Sequence, residues 1–183
     1  METFLELVRK RHSVREFLDK PIERAKIDLC VEAARLAPSA ENVQPWRFVI
    51  IDDKEQLARL SRAAISGIYK VTGFVSKAAA VAVLVARLDI RANRIGARIQ
   101  GTQFYLLDMG IAGEHFVFQA AEQGIGTCWI GWFNKRKVHK LLKIPRAHKI
   151  PALIAMGYFE QEHVKLKPKK NLDEIRFYNE YRG

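Results

Sequence analysis

Only two cysteines, Cys30 and Cys128, occur among 183 residues, and neither sits in a CxxC pair or another metal-ligand spacing. That excludes a disulfide scaffold and a cysteine-built zinc site. It leaves two packing thiols, one in an amphipathic helix and one in an apolar strand. Long hydrophobic runs are also missing. The longest, Ala78 to Ala86, is far short of the ~20 residues that span a bilayer. Met1 to Glu6 lack the basic stretch and apolar stretch of a secretory signal, so a cytoplasmic location is expected. There is no Walker lysine loop and no HExxH. Gly124 and Gly126 follow a helix and open a strand, the reverse of a dinucleotide-binding turn, and the third glycine is absent. The five histidines are scattered without metal spacing, so no metal is expected. His115, inside a helix, reads as a hydrogen-bonded core histidine sooner than as a ligand. No motif ties Ser, Cys and His into a nucleophilic triad.

Acidic residues are in deficit, 20 against 31 Lys and Arg, for a formal charge of +11. Such a field favours anionic partners: nucleic acid, acidic membranes or phosphorylated cofactors. The basic residues are spread along the chain without interleaved aromatics, which leaves a nucleic-acid-binding module only as an alternative. The densest clusters, Lys165 to Lys170 and Lys135 to Lys143, read first as solvated faces.

With 49% hydrophobic residues, the chain has apolar mass for a core and suits one domain over 1–183 with a C-terminal arm. Residues 3–10 read as a short amphipathic helix. A second helix runs from about Glu23 to Leu36, with Ile22, Leu29, Ala33 and Leu36 at helical spacing, and Pro38 ends it. Trp46 to Ile51 is a strand, and Asp52 or Asp53 caps a helix over 54–64. Ala79 to Ala86 is a continuous apolar strand, hence central and covered on both faces. About Arg98 to Gln123 reads as a long helix, apolar nearly all round. One side carries Phe104, Leu107, Ile111 and Phe118, and others carry Leu106, Met109, Phe116 and Val117. So buried a helix in so small a domain points to a dimer interface. Ile125 to Gly131 and Ala152 to Tyr158 are strands, 135–142 is a short helix, and Asn171 to Tyr181 looks helical. The expected class is α+β, with a mixed central sheet flanked by helices.

Two segments carry candidate chemistry. In Arg11-His12-Ser13-Val14-Arg15 the chain leaves its first helix. In extended backbone, residues 11, 13 and 15 share a side, and two guanidiniums with a hydroxyl suit a phosphate. A cationic cluster that satisfies a helix C-terminus explains the same residues equally well. The second segment, Pro38 to Trp46, breaks a helix, offers a run of polar groups and enters a strand.

Residues 9–17 resemble the N-terminal signature of the nitroreductase family of FMN-dependent oxidoreductases. Ala33 to Asn42 with Gln44-Pro45-Trp46, Ala121 to Gly131, and Lys167 to Ile175 resemble its later signatures, in order. The resemblance implies an intertwined homodimer with FMN at the subunit interface, an NADH or NADPH donor, and a small-molecule acceptor such as a nitroaromatic or quinone. It implies no nucleic acid and no membrane as partners. It places Arg11, Ser13, Lys167 and Lys169 at the FMN phosphate end, with a weaker part for His12, and Arg15 at the ring. Pro38, Ser39, Ala40 and Asn42 would come from the partner subunit, and the Ile130–Gly131 backbone would lie near the flavin's hydride-accepting nitrogen. No side chain need act as acid or base, since the flavin carries the chemistry. A polar ring contact is expected within residues 66–77, where Ser66, Tyr69, Lys70 and Thr72 are not ranked. Asp89 to Gln100 would be a reduced cover over the site. Flavin fragmentation or dehalogenation on the same fold is the alternative within the family.

Overall fold

The computed structural model describes residues 3–88, 101–160 and 167–181; the proposed cover, Asp89 to Gln100, lies outside them. Helix α1 spans Phe4–Lys10 and α2 Arg24–Arg35. Strand β1, Trp46–Ile51, leads into α3, Lys54–Ala64, which Asp53 caps by accepting the Gln56 amide at 2.9 Å. Tight 3-10 turns occupy Gly67–Lys77, kinked at Thr72. Strand β2 is Ala80–Ala86, helix α4 Phe104–Glu122, strand β3 Gly126–Ile130, helix α5 Lys135–Leu141 and strand β4 Leu153–Gly157. Among the described residues, no helix is long and apolar enough to cross a membrane.

The sheet order is β1-β2-β4-β3, and every ladder is antiparallel. The parallel component among the described residues is a single bridge, Ser13 to Thr127, beyond β3. β2 lies inside the sheet and is buried along its whole length, which explains its unbroken apolar run. Its two faces differ. Ala80, Ala82, Leu84 and Ala86 meet α2 and α4, while Val81, Val83 and Val85 meet α3, α5 and the 67–77 segment. The small alanines let α4 come close, and Gly113 comes closest: a Cβ there would overlap the Trp129 ring. Gly113→Val is therefore expected to cost about 1–3 kcal/mol by overpacking, read as a lower midpoint in thermal denaturation.

Three expectations need correction. α4 begins at Phe104 because Gly101 takes φ +67 and Gln103 is not helical. In α2 the buried stripe is Ile27, Cys30 and Ala34, while Leu29 and Leu36 are exposed. The helix carries two apolar stripes, and periodicity alone selected the outer one. Asn171 to Tyr181 forms a single 3-10 turn, Leu172–Glu174, closed by Glu174 accepting the Asn171 amide at 2.8 Å. Every residue of this arm is exposed, and an isolated short helix without packing does not sustain itself.

Candidate functional site

Thr3 opens α1 with a capping box: its hydroxyl accepts the Glu6 amide, and Glu6 accepts the Thr3 amide at 2.7 Å. The helix stops where Arg11 turns extended. The chain then follows the outer edge of β3, with the Val14 amide donating to the Thr127 carbonyl at 2.9 Å. Alternation sends Val14 into the core and leaves Ser13 and Arg15 outside.

The Cys128 thiol on β3 marks what converges there. Burial acts on it most strongly, and the Arg15 charge, the Ser13 side chain and the Lys167 charge act against burial. All three favour the thiolate, but burial outweighs them and pushes the thiol up. The Lys167 charge thus reaches β3 from the far end of the chain, and Lys169 is exposed two residues further on. Cys30, by contrast, lies on the buried face of α2, where burial pushes its thiol up to about 12. Both cysteines are buried packing residues, as expected.

Arg15 is braced by its own chain, donating from Nη1 to the Ser13 carbonyl at 3.3 Å, and its guanidinium carbon lies 5.8 Å from the centre of the Phe74 ring. Phe74 belongs to the Gly67–Lys77 turns, which also grip the end of β3. Trp132 Nε1 donates to the Ile68 carbonyl at 3.2 Å, Thr72 Oγ1 donates to the Trp132 carbonyl at 3.3 Å, and the Tyr69 ring lies 5.3 Å from Trp132. The segment expected to touch a ring therefore joins Arg15 to Gly131. Its four unranked groups now separate. Ser66 accepts from Lys137 Nζ at 2.9 Å, Tyr69 packs its ring at a tilt against Trp132, and Thr72 bonds backbone carbonyls, while Lys70 is exposed. Ile130 is buried at the strand end and Gly131 is exposed just beyond it.

Arg11 departs from the expected shared side. It is still the C-cap of α1, and its Nε lies 3.7 Å from Glu114 Oε1 on α4. Glu114 Oε2 in turn accepts from Trp129 Nε1 at 3.2 Å. His12 Nδ1 lies 2.9 Å from the Lys10 carbonyl, and its ring meets Phe159 edge-on at 5.3 Å. Arg11 and His12 line a cavity of about 440 Å³ with a basic rim and a floor of Ile125, Gly126 and Thr127.

The Pro38 to Gln44 loop stands apart. Ser39 Oγ accepts the Gln44 amide at 3.0 Å, and the Ala40 amide donates to Asp108 Oδ1 at 3.0 Å. Glu41, Asn42 and Gln44 take φ of +50, +54 and +45. Left-handed backbone at non-glycine residues costs of order 1–3 kcal/mol each and persists only where the surroundings impose it. The loop is anchored to α4 on one face of the sheet. Arg15 and Gly131 are tied to the 67–77 segment on the other. One chain thus sets Ser13 and Arg15 on the edge of β3 and Gly131 just past its end, and holds Pro38, Ser39, Ala40 and Asn42 in a separate strained loop.

Asp108, Glu114, Phe74 and Trp132 were not picked out from sequence. For Asp108 a signal existed: it is the one charged residue in the apolar stretch Phe104 to Ala112. His115, read as a hydrogen-bonded core residue, instead lines a groove between α1, α2 and α4, and its Nδ1 has no partner among the described residues.

A hydroxyl and two cations with no acid among them suit a phosphate. Phe74 and Trp132 beside a side-chain-free Gly131 suit a flat ring. The set fits a ligand with an anionic tail and an aromatic head.

Comparison with known proteins shows the family of the chain. The model of the Nitroreductase family matches residues 8–158. A protein of Archaeoglobus fulgidus, provisionally named an NADH dehydrogenase/NAD(P)H nitroreductase, is 29% identical over 166 residues, covering 88% of each chain. The crystal structure of a nitroreductase family protein from Streptococcus pneumoniae superposes with a TM-score of 0.82 at 29% identity, covering 97% of this chain and 100% of that one. An FMN-dependent nitroreductase from Clostridium difficile superposes with a TM-score of 0.76 at 25% identity, covering 97% and 100%.

Proposed function

The chain belongs to the nitroreductase family, and on that footing we propose that it is an FMN-dependent oxidoreductase oxidising NADH or NADPH and reducing a nitroaromatic or quinone in ping-pong order. The observation that carries this reading is the placement of Ser13 and Arg15 side by side on the open edge of β3, both solvent-exposed, with Arg15 braced by the Ser13 carbonyl. FMN, when bound, supplies hydride acceptance and hydride donation. The chain's own residues bind and orient it. Ser13, Lys167 and Lys169 hold the phosphate, and Arg11, turned toward Glu114, borders them with His12. Arg15 provides a fixed cation beside the ring, held in place by the Ser13 carbonyl and Phe74. Gly131, with no side chain, lets the ring approach the backbone that follows Ile130. Phe74 and Trp132 keep water from that end. No side chain is assigned as acid or base.

The site is completed by a second copy of the chain, which delivers Pro38, Ser39, Ala40 and Asn42. What supports a dimer is the apolar surface a single chain leaves open. Leu106, Leu107 and Ile111 of α4, Leu29 and Leu36 of α2, and Phe4 and Leu5 of α1 are all exposed. The arm adds Leu172, Ile175, Tyr178 and Tyr181.

Steady-state turnover of the FMN-loaded protein tests the chemistry. Parallel double-reciprocal plots with NADH or NADPH and a quinone or nitroaromatic are expected. Consumption of FMN itself, or release of halide without such turnover, would favour the alternative chemistries of the fold.

A further inference from the structure

We propose that Asp108 is the positioning residue that sets the Pro38 to Asn42 loop in the shape needed to hold FMN; this rests on the flavin assignment above. Asp108 is 3% exposed and sits on α4 among Met109, Ala112 and Phe116, all buried. A carboxylate in such surroundings is costly unless fully paired. It is not fully paired. Oδ1 accepts the Ala40 amide at 3.0 Å, and Oδ2 has no partner among the described residues. A purely structural polar group would satisfy both oxygens, and stability alone would place an apolar side chain at this position. What Asp108 does that an apolar residue could not is accept one loop amide and fix it in place.

That amide stands at a decisive point. Ala40 opens the turn whose next residues, Glu41 and Asn42, are left-handed, and Gln44 is left-handed as well. The Ser39 hydroxyl locks the far end through the Gln44 amide. The two clamps bracket the strained residues from both sides. Without Asp108 the turn is free to relax toward unstrained backbone. The loop would then reach its binding shape only at a cost taken from FMN affinity.

The test is the FMN dissociation constant of the full-length protein, read by quenching of flavin fluorescence. Asp108→Ala is expected to weaken binding about ten- to hundred-fold, the range for leaving the Ala40 amide without its acceptor. Asp108→Asn keeps an oxygen for the Ala40 amide and should stay within about threefold of wild type. Ala40→Pro removes the same bond from the loop side without touching the core. Ser39 before it is already extended, as a following proline requires, and Ala40 is the first residue of the turn. It should match the alanine variant, and it carries the test if Asp108→Ala does not fold. Wild-type affinity in Asp108→Ala or Ala40→Pro overturns the proposal, as does an Asp108→Asn loss as large as the alanine one. Failure of the wild type to bind FMN overturns the flavin assignment instead. In that case amide exchange still reads the clamp itself, with Ala40 slow in wild type and fast in Asp108→Ala.

Discussion

Arg15→Ala is expected to weaken FMN binding about ten- to hundred-fold and to make the bound flavin harder to reduce. The side chain is exposed, so its loss leaves the core intact and isolates the effect on the ligand. Its guanidinium is immobilised by the Ser13 carbonyl and the Phe74 face, and so offers fixed charge without reorganisation. Losing a hydrogen bond to a charged group costs roughly 1.5–3 kcal/mol. If that difference applies between the oxidised and reduced forms, the two-electron midpoint falls by about 30–60 mV. Arg15→Lys keeps the charge but not the planar fork, and should fall between. Redox titration against a reference dye reads the shift. An unchanged potential and affinity would remove Arg15 from the site.

The larger effect is expected from Ile111→Asp. Ile111 is 40% exposed and lines the groove with Phe4, Ala33, Leu36 and Phe118. In a single chain an aspartate there is solvated and harmless. In a dimer it is an unpaired charge in an apolar interface, a defect of about 3–5 kcal/mol. That raises the dimer dissociation constant by roughly a hundred- to several-thousand-fold. Sedimentation should show the single chain at concentrations where wild type runs at twice its mass, with the circular dichroism spectrum unchanged. FMN affinity should collapse in parallel, because the Pro38 to Asn42 loop then no longer reaches the other chain's Arg15. A monomer that keeps wild-type FMN affinity would show that one chain suffices.

Local structure was legible wherever one residue enforces it. Pro38 ended α2, Asp53 capped α3, Gly124 took φ +72 after α4, and the apolar run Ala80 to Ala86 proved central. What tertiary packing decides was not legible. Which apolar stripe of α2 turns inward depends on α4 lying beside it, and the periodicity of α2 contains no trace of that neighbour. The arm after Asn171 has helical spacing but nothing to pack on. In the site, Ser13 and Arg15 followed from strand alternation. Arg11 broke the pattern because it still belongs to the helix end and is drawn to Glu114. Lys167 came from the resemblance, since nothing in its local sequence tells a solvated lysine from one whose charge reaches Cys128.

The most direct measurement is a titration of the flavin-free protein with FMN, following fluorescence and sedimentation together. One FMN bound per chain, on a particle of two chains, is the expected result. No FMN binding, or full affinity on a single chain, would contradict a flavin site assembled from Arg15 of one copy and the Pro38 loop of the other.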